Sequence, residues 1–255
     1  NDSAFKIENA HLSAFQVHSD VRLRVLGENA SAAIGLVSTS TWLFGGILSA
    51  LAVGFSVQIA HYFGAKEFKE GRIVLRHGLI FSICFSLILL LIGASIAKPL
   101  PFLLRADESI WNDSTLYFLV FVLSLPFMML NNLCASSLQC SGNMIVPSIL
   151  NAVMCFLDVV FNMIFIPLYG VLGASIGTAL SVVVTSILMF VICCFIDKKL
   201  KITIKDNSKF NKRIINKAIK ICIPIALEQI ARSGAMIVST GIIAPLGNTA
   251  IAAKS

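Results

Sequence analysis

Charge is what this sequence has least of. Asp, Glu, Lys and Arg make up 13% of its 255 residues and hydrophobic types 57%, whereas a soluble domain carries about 25% charge. Residues 30–65, 78–97, 114–157 and 159–196 hold no charged side chain. That pattern excludes one or two soluble domains with ordinary cores. Catalytic signatures are missing as well. There is no HExxH, no glycine loop ahead of a basic residue to cradle phosphate, and no paired acids in one loop; no Ser or Cys shares a plausible depth with a His and an acid. These absences argue against an enzyme and against ATP as the energy source. The seven cysteines form no CxxC pair and accompany no ligand-like His cluster, so they read as small packing residues and imply no cofactor.

What is present is a series of apolar tracts, each long enough for a bilayer core that needs roughly 20 residues per helix. Divided at Gly, Pro and charge, they give six spans: about 33–63, 77–97, 115–138, 144–166, 171–195 and 214–244. Ser141-Gly142-Asn143 with Pro147 beyond it splits the longest tract, and Pro167-Leu168-Tyr169-Gly170 makes an equally short break. Connections this short make antiparallel neighbours. The fold expected is an all-α polytopic membrane protein.

Loop charge orients the bundle. Segment 64–76 carries Lys66, Lys69, Arg72 and Arg76, and segment 197–220 carries Lys198, Lys199, Lys201, Lys205, Lys209, Lys212, Arg213, Lys217 and Lys220. Loop 98–113 offers only Lys98 and Arg105 against Asp107, Glu108 and Asp113. Both basic segments therefore face the cytoplasm of a plasma (bacterial inner) membrane. The net charge of +7 is this loop signature, not a nucleic-acid surface. Lys212–Lys220 is amphipathic and fits the inner interface.

The two longest uncharged tracts flank one acid, Asp158. Asn151, Asp158 and Asn162 are spaced by seven and four residues, which at 100° per residue puts them within about 40° of one another. An ionised Asp near the bilayer centre costs roughly 2.5–3.5 kcal/mol on insertion scales. Neighbouring amides can complete an oxygen cage for a hard cation; desolvation favours the neutral carboxyl, so Asp158 can alternatively carry and release a proton. The plainer reading of the stripe is interhelical hydrogen-bond glue. Glu228 and Arg232 are the other deep charges, spaced i,i+4 with the acid first, the order that favours a pair on one turn. They form either a protonation or substrate-charge site or a neutralised structural pair. Gly45-Gly46, Gly54, Pro126 and Pro224 are bend or close-packing points, Gln139 reads as a capping or turn residue, and His61 has no assigned role.

Leu26-Gly27-Glu28-Asn29-Ala30-Ser31-Ala32-Ala33 and Leu246-Gly247-Asn248-Thr249-Ala250-Ile251-Ala252-Ala253 share L-G-x-x-A-x-A-A, and transporters are often built from two structural repeats. A counterpart to span 214–244 would then fall before residue 26. Residues 1–24 carry Asp2, Lys6, Glu8, Asp20, Arg22 and Arg24, too many charges to cross a bilayer, and they lack the order of a signal peptide. The expectation is an incomplete copy of a longer transporter, with a natural shorter protein as the alternative. Its parts are a non-spanning segment 1–24, a partial first lobe 25–196, a basic inter-lobe loop 197–213, and the opening helix of a second lobe at 214–255.

Several stretches resemble one family. Leu26 through Gly35, Val53-Gly54-Phe55-Ser56-Val57-Gln58-Ile59-Ala60-His61-Tyr62-Phe63-Gly64-Ala65-Lys66, Ser141-Gly142-Asn143 with Pro147, Leu157-Asp158, Gly173-Ala174-Ser175-Ile176-Gly177-Thr178-Ala179, and Pro224-Ile225 through Pro245-Leu246-Gly247 look like successive parts of multidrug and toxic compound extrusion (MATE) transporters. The resemblance implies helices 2–7 of a twelve-helix, two-lobe transporter. It implies alternating-access export of cationic amphipathic small molecules, driven by inward Na⁺ or H⁺. It also implies that Asp158 is the fifth-helix acid of a cation site (a Na⁺ ligand if Na⁺ couples), that Thr178 is the sixth-helix hydroxyl, and that Asn131 or Asn132 is the fourth-helix amide. The first-helix acid has no counterpart here, and Met154 stands where one branch has an Asn. A lipid-linked precursor flippase of the same superfamily, or a non-transporting membrane scaffold, are the alternatives.

Overall fold

The computed structural model describes residues 40–103, 111–197, 199–201 and 212–243, with side chains in the last helix as far as Arg232. The expected non-spanning segment 1–24, both L-G-x-x-A-x-A-A copies and most of the inter-lobe loop lie outside the described residues. Among those described there is no strand. The elements are α1 (Ser40–Gly64), α2 (Phe68–Ala97), the short α3 (Leu100–Leu103), α4 (Trp111–Cys140), α5 (Ile145–Val191), a π-turn (Ile192–Ile196) and α6 (Lys212–Ile243).

Four of the described helices are long and apolar enough to cross a membrane: α1, α2, α4 and the continuous stretch Ile145–Ile196. That last stretch is two helices. Gly170 sits at φ 57°, ψ −127°, a backbone state that a side chain would strain and glycine tolerates. Pro167, Leu168, Tyr169 and Gly170 thus make the reversal expected of them. Either arm of α5, 145–169 or 171–191, has enough residues at 1.5 Å rise to traverse a hydrocarbon core of about 30 Å.

The helix at the expected last span, α6, is not among those four, and at α2 the observed start differs from the expected one. α2 begins at Phe68, nine residues before the apolar tract at 77, so Lys69, Arg72 and Arg76 ride on helix, not loop. The connection from α1 is only Ala65–Glu67, with Lys66 at φ 63° and the Glu67 N–H donating to Tyr62 O at 2.8 Å. A helix of 30 residues is about 45 Å long, longer than the hydrocarbon core, so its charged first turns can stand in the headgroup layer.

Burial follows from the solvent these helices require. Leu48, Phe55, Ile59, Leu75, Phe118, Leu125, Leu133 and Met189 are essentially inaccessible and form one core shared by α1, α2, α4 and the second arm of α5. Outward faces are also apolar: Ile80, Ile83, Leu87, Ile88 and Leu91 on α2, and Phe156, Met163 and Ile164 on α5, are exposed. Such continuous apolar exterior suits lipid, not water. Several hydroxyls inside the bundle bond back along their own helices, as Ser137 does to Leu133 O at 2.6 Å and Thr185 to Ser181 O at 2.7 Å, which satisfies them in an apolar surround.

Glycines set the closest crossings. A Cβ on Gly54 would lie 2.7 Å from the Ala218 carbonyl oxygen, and one on Gly46 would collide with Gln229. These residues bring α1 against α6, and Gln58 Nε2 donates to Ile214 O at 3.3 Å across the same contact. In the first turns of α6, Ile215 and Ala218 are buried while Lys212, Arg213, Lys217 and Lys220 are exposed, the amphipathic pattern expected at an interface.

Candidate functional site

The first arm of α5 places Asp158 and Asn162 one turn apart on the same face. Asn162 Nδ2 donates to Asp158 Oδ1 at 3.0 Å. Asp158 is half-buried and Asn162 is 4% exposed. Their neighbour is the second arm, which returns with glycine at the points of contact. A Cβ on Gly177 would lie 2.7 Å from Asn162 Oδ1 and 3.1 Å from its backbone N, and a Cβ on Gly173 would lie 2.9 Å from the Ile166 N. Gly173, Gly177, Ser181 and Thr185 recur every fourth residue and are all buried, a small-residue stripe that lets two membrane helices approach closely. The register that sets Gly177 against Asn162 carries Ser181 to the level of Asp158.

Thr178, next to that stripe, donates its hydroxyl to Ala174 O at 3.0 Å. Its proton is committed to the helix backbone, and its oxygen keeps acceptor capacity.

A second polar region lies toward the other end of the first arm. A cavity of about 300 Å³ is lined by Ser49, Ala52 and Val53 of α1, by Asn131, Asn132, Ala135, Ser136 and Gln139 of α4, and by Asn151 and Met154 of α5. Asn131 is 8% exposed, and its Oδ1 is buried with no hydrogen-bond partner. A buried amide oxygen left this way costs about 1–3 kcal/mol, so it marks a place suited to a donor or a cation. Gln139 belongs to this cavity wall, a role its reading as a cap or turn residue did not include.

The expected residues therefore fall into two groups. Asp158 and Asn162 touch each other, with Thr178 on the facing arm. Asn131, Asn132 and Asn151 line one cavity, and Met154, one turn from Asp158, stands at its edge. For a hard cation the oxygen donors are suited at either end, while a thioether at the junction is not. Glu228 and Arg232 form their expected pair, with Arg232 Nη2 donating to Glu228 Oε1 at 2.8 Å. Both are exposed, at 66% and 73% of their side-chain surface, and neither lines the cavity.

Comparison with known proteins bears on what this architecture belongs to. A family profile described as MatE matches residues 7–164, well over half of the chain. The chain belongs to the MatE family. This MatE chain is 27% identical to the uncharacterized transporter YisQ of Bacillus subtilis over 237 residues, covering 89% of the chain and 51% of that protein. It is 25% identical to the multidrug export protein MepA of Staphylococcus aureus over 211 residues, covering 81% and 46%. Among solved structures, a MATE protein in its straight conformation superposes with a TM-score of 0.86 at 24% identity, covering 96% of this chain and 56% of that one. The MatE chain thus spans about half the length of the curated relatives it matches, and its helices have the fold of multi-pass membrane transporters.

Proposed function

We propose that this MatE chain serves secondary active efflux of cationic amphipathic small molecules, with the coupling ion taken up at Asp158. The observation that carries the proposal is the Asp158–Asn162 pair: a carboxylate inside a membrane-spanning arm, held by an amide donor at 3.0 Å. A carboxylate at such depth is expensive unless a cation or proton neutralises it. Ion binding at Asp158 favours one access state of the helices, substrate binding favours the other, and transport follows from the difference in affinity of each ligand for the two states. The relatives' names as transporter and multidrug export protein support this reading.

Between the two coupling ions, the donor chemistry favours H⁺. A Na⁺ site needs several oxygens around one point, and Met154 breaks the run of oxygen donors between Asp158 and the amides of the cavity. The lipid-linked precursor flippase is the weaker reading, because a pyrophosphate needs cations free to bind it and Arg232 is bound to Glu228.

The test is dye efflux in proteoliposomes holding the protein made from its full reading frame. Efflux driven by an imposed pH gradient, lost in Asp158→Asn and unchanged by a Na⁺ gradient, supports the proposal. Efflux in Asp158→Asn that equals the unaltered protein under both gradients rejects it.

A further inference from the structure

Cys134 of α4 and Cys193 and Cys194 of the π-turn are far apart in sequence, yet their three Sγ atoms all lie within 4.8 Å of one another. They are 0%, 0% and 2% exposed. Adjacent residues of an α-helix point about 100° apart, so two neighbours seldom address the same partner. Here the wider turn closed by the Asp197 N–H donating to Ile192 O at 2.8 Å, an i→i+5 bond, lets both face Cys134. Such π-turns occur often at functional sites. Simple packing needs neither the π-turn nor convergence of all three sulfurs.

We propose that Cys134, Cys193 and Cys194 form a binding site for a trivalent thiophilic metalloid, As(III) or Sb(III), held as a three-sulfur complex. Three converging thiols select soft acceptors over hard cations. Charge then discriminates among the soft ones. A divalent metal bound by three thiolates leaves a net negative charge in an apolar core formed with Leu138, Met189 and Leu200, which is costly to bury. A trivalent centre with three thiolates is neutral. The reaction balances without oxidant or reductant: As(OH)₃ and three S–H groups give As(S)₃ and three waters, each thiol proton leaving on a displaced hydroxide. A cavity of about 340 Å³ lined by Ser141, Gly142, Asn143, Asp197 and Lys199 lies at these helix ends, and Asp197 is a single turn from Cys194.

The experiment uses the purified chain in detergent with a thiol-free reductant, loaded with arsenite and passed through gel filtration. The site predicts one arsenic retained per chain. Cys134→Ala or Cys194→Ala should weaken half-saturation by an order of magnitude or more, because each removes one intramolecular ligand. A variant with Cys84, Cys140, Cys155 and Cys222 all changed to Ala should retain arsenic undiminished, with X-ray absorption reporting three sulfurs around it. Unchanged uptake in Cys134→Ala, or uptake lost with the other four cysteines, overturns the proposal. Should a variant fail to fold, X-ray absorption of the unaltered protein loaded with one arsenic per chain decides. Three sulfurs around the arsenic support the site, and oxygen ligands or fewer than three sulfurs reject it.

Discussion

The side chain of Asn162 occupies the space that a Cβ on Gly177 would need, 2.7 Å from its Oδ1. Glycine at 177 is thus a condition for the Asp158–Asn162 hydrogen bond. Gly177→Ala forces either the arms of α5 apart or Asn162 out of its rotamer, and overpacking of this kind costs about 1–3 kcal/mol. Unfolding in mixed micelles should show that loss. Ion-driven efflux should fall with it even where the protein accumulates normally. Wild-type stability and efflux in Gly177→Ala would show that the arms are not in this register.

How far the sequence could be read depends on the kind of information each feature needs. The helices and the reversal at Gly170 were legible because they depend on local properties: uncharged tracts, and a Pro-Leu-Tyr-Gly break that must turn. Helix starts were misplaced at α2, because Lys69, Arg72 and Arg76 look like loop residues although a helix longer than the bilayer core carries them readily. The Asn162–Gly177 contact depends on how many residues the turn at 167–170 consumes, which no single-helix pattern encodes. Asn151 shared a predicted stripe with Asp158, yet seven residues put it about 10 Å along the axis, enough to place it in the cavity with Asn131 instead. The convergence of Cys134 with Cys193 and Cys194 had no local signal, since its cause is a π-turn and an interhelical contact.

Asp197 ties two connections together. Its Oδ1 accepts the N–H groups of Lys199 and Leu200 at 2.9 and 3.0 Å, and its Oδ2 accepts Asn143 Nδ2 at 3.3 Å. Lys199 Nζ donates to Ser141 O at 2.8 Å on the same side. Asp197→Ala removes three acceptor contacts worth about 0.5–1.5 kcal/mol each. Amide hydrogen exchange in 141–146 and 199–201 should accelerate together. Acceleration confined to 199–201 would show that the Asn143 link carries nothing.

At the crossing of α1 and α6, Gly54 meets backbone, not a flexible side chain. Its missing Cβ would lie 2.7 Å from Ala218 O, so Gly54→Ala cannot be absorbed by a rotamer change. It should separate the helices and lengthen the Gln58–Ile214 contact, at a cost of about 1–3 kcal/mol. Gly64→Ala, where nothing lies within 4 Å of the added carbon, is the matched control. Equal stability of the two variants would argue that α1 and α6 do not touch at Gly54.

The exposed Glu228–Arg232 pair distinguishes a lipid surround from a wet one. In water an exposed pair of this kind contributes at most about 1 kcal/mol, and either single neutralisation should be nearly silent. In hydrocarbon, Glu228→Gln strands Arg232 and Arg232→Gln strands Glu228, each charge then costing roughly 2.5–3.5 kcal/mol. Changing both to Gln removes both charges. The double variant should therefore be more stable than either single one, with a coupling well above the error of additivity for independent sites. Two silent single variants would instead place this turn of α6 in water, facing a hydrated space between helices.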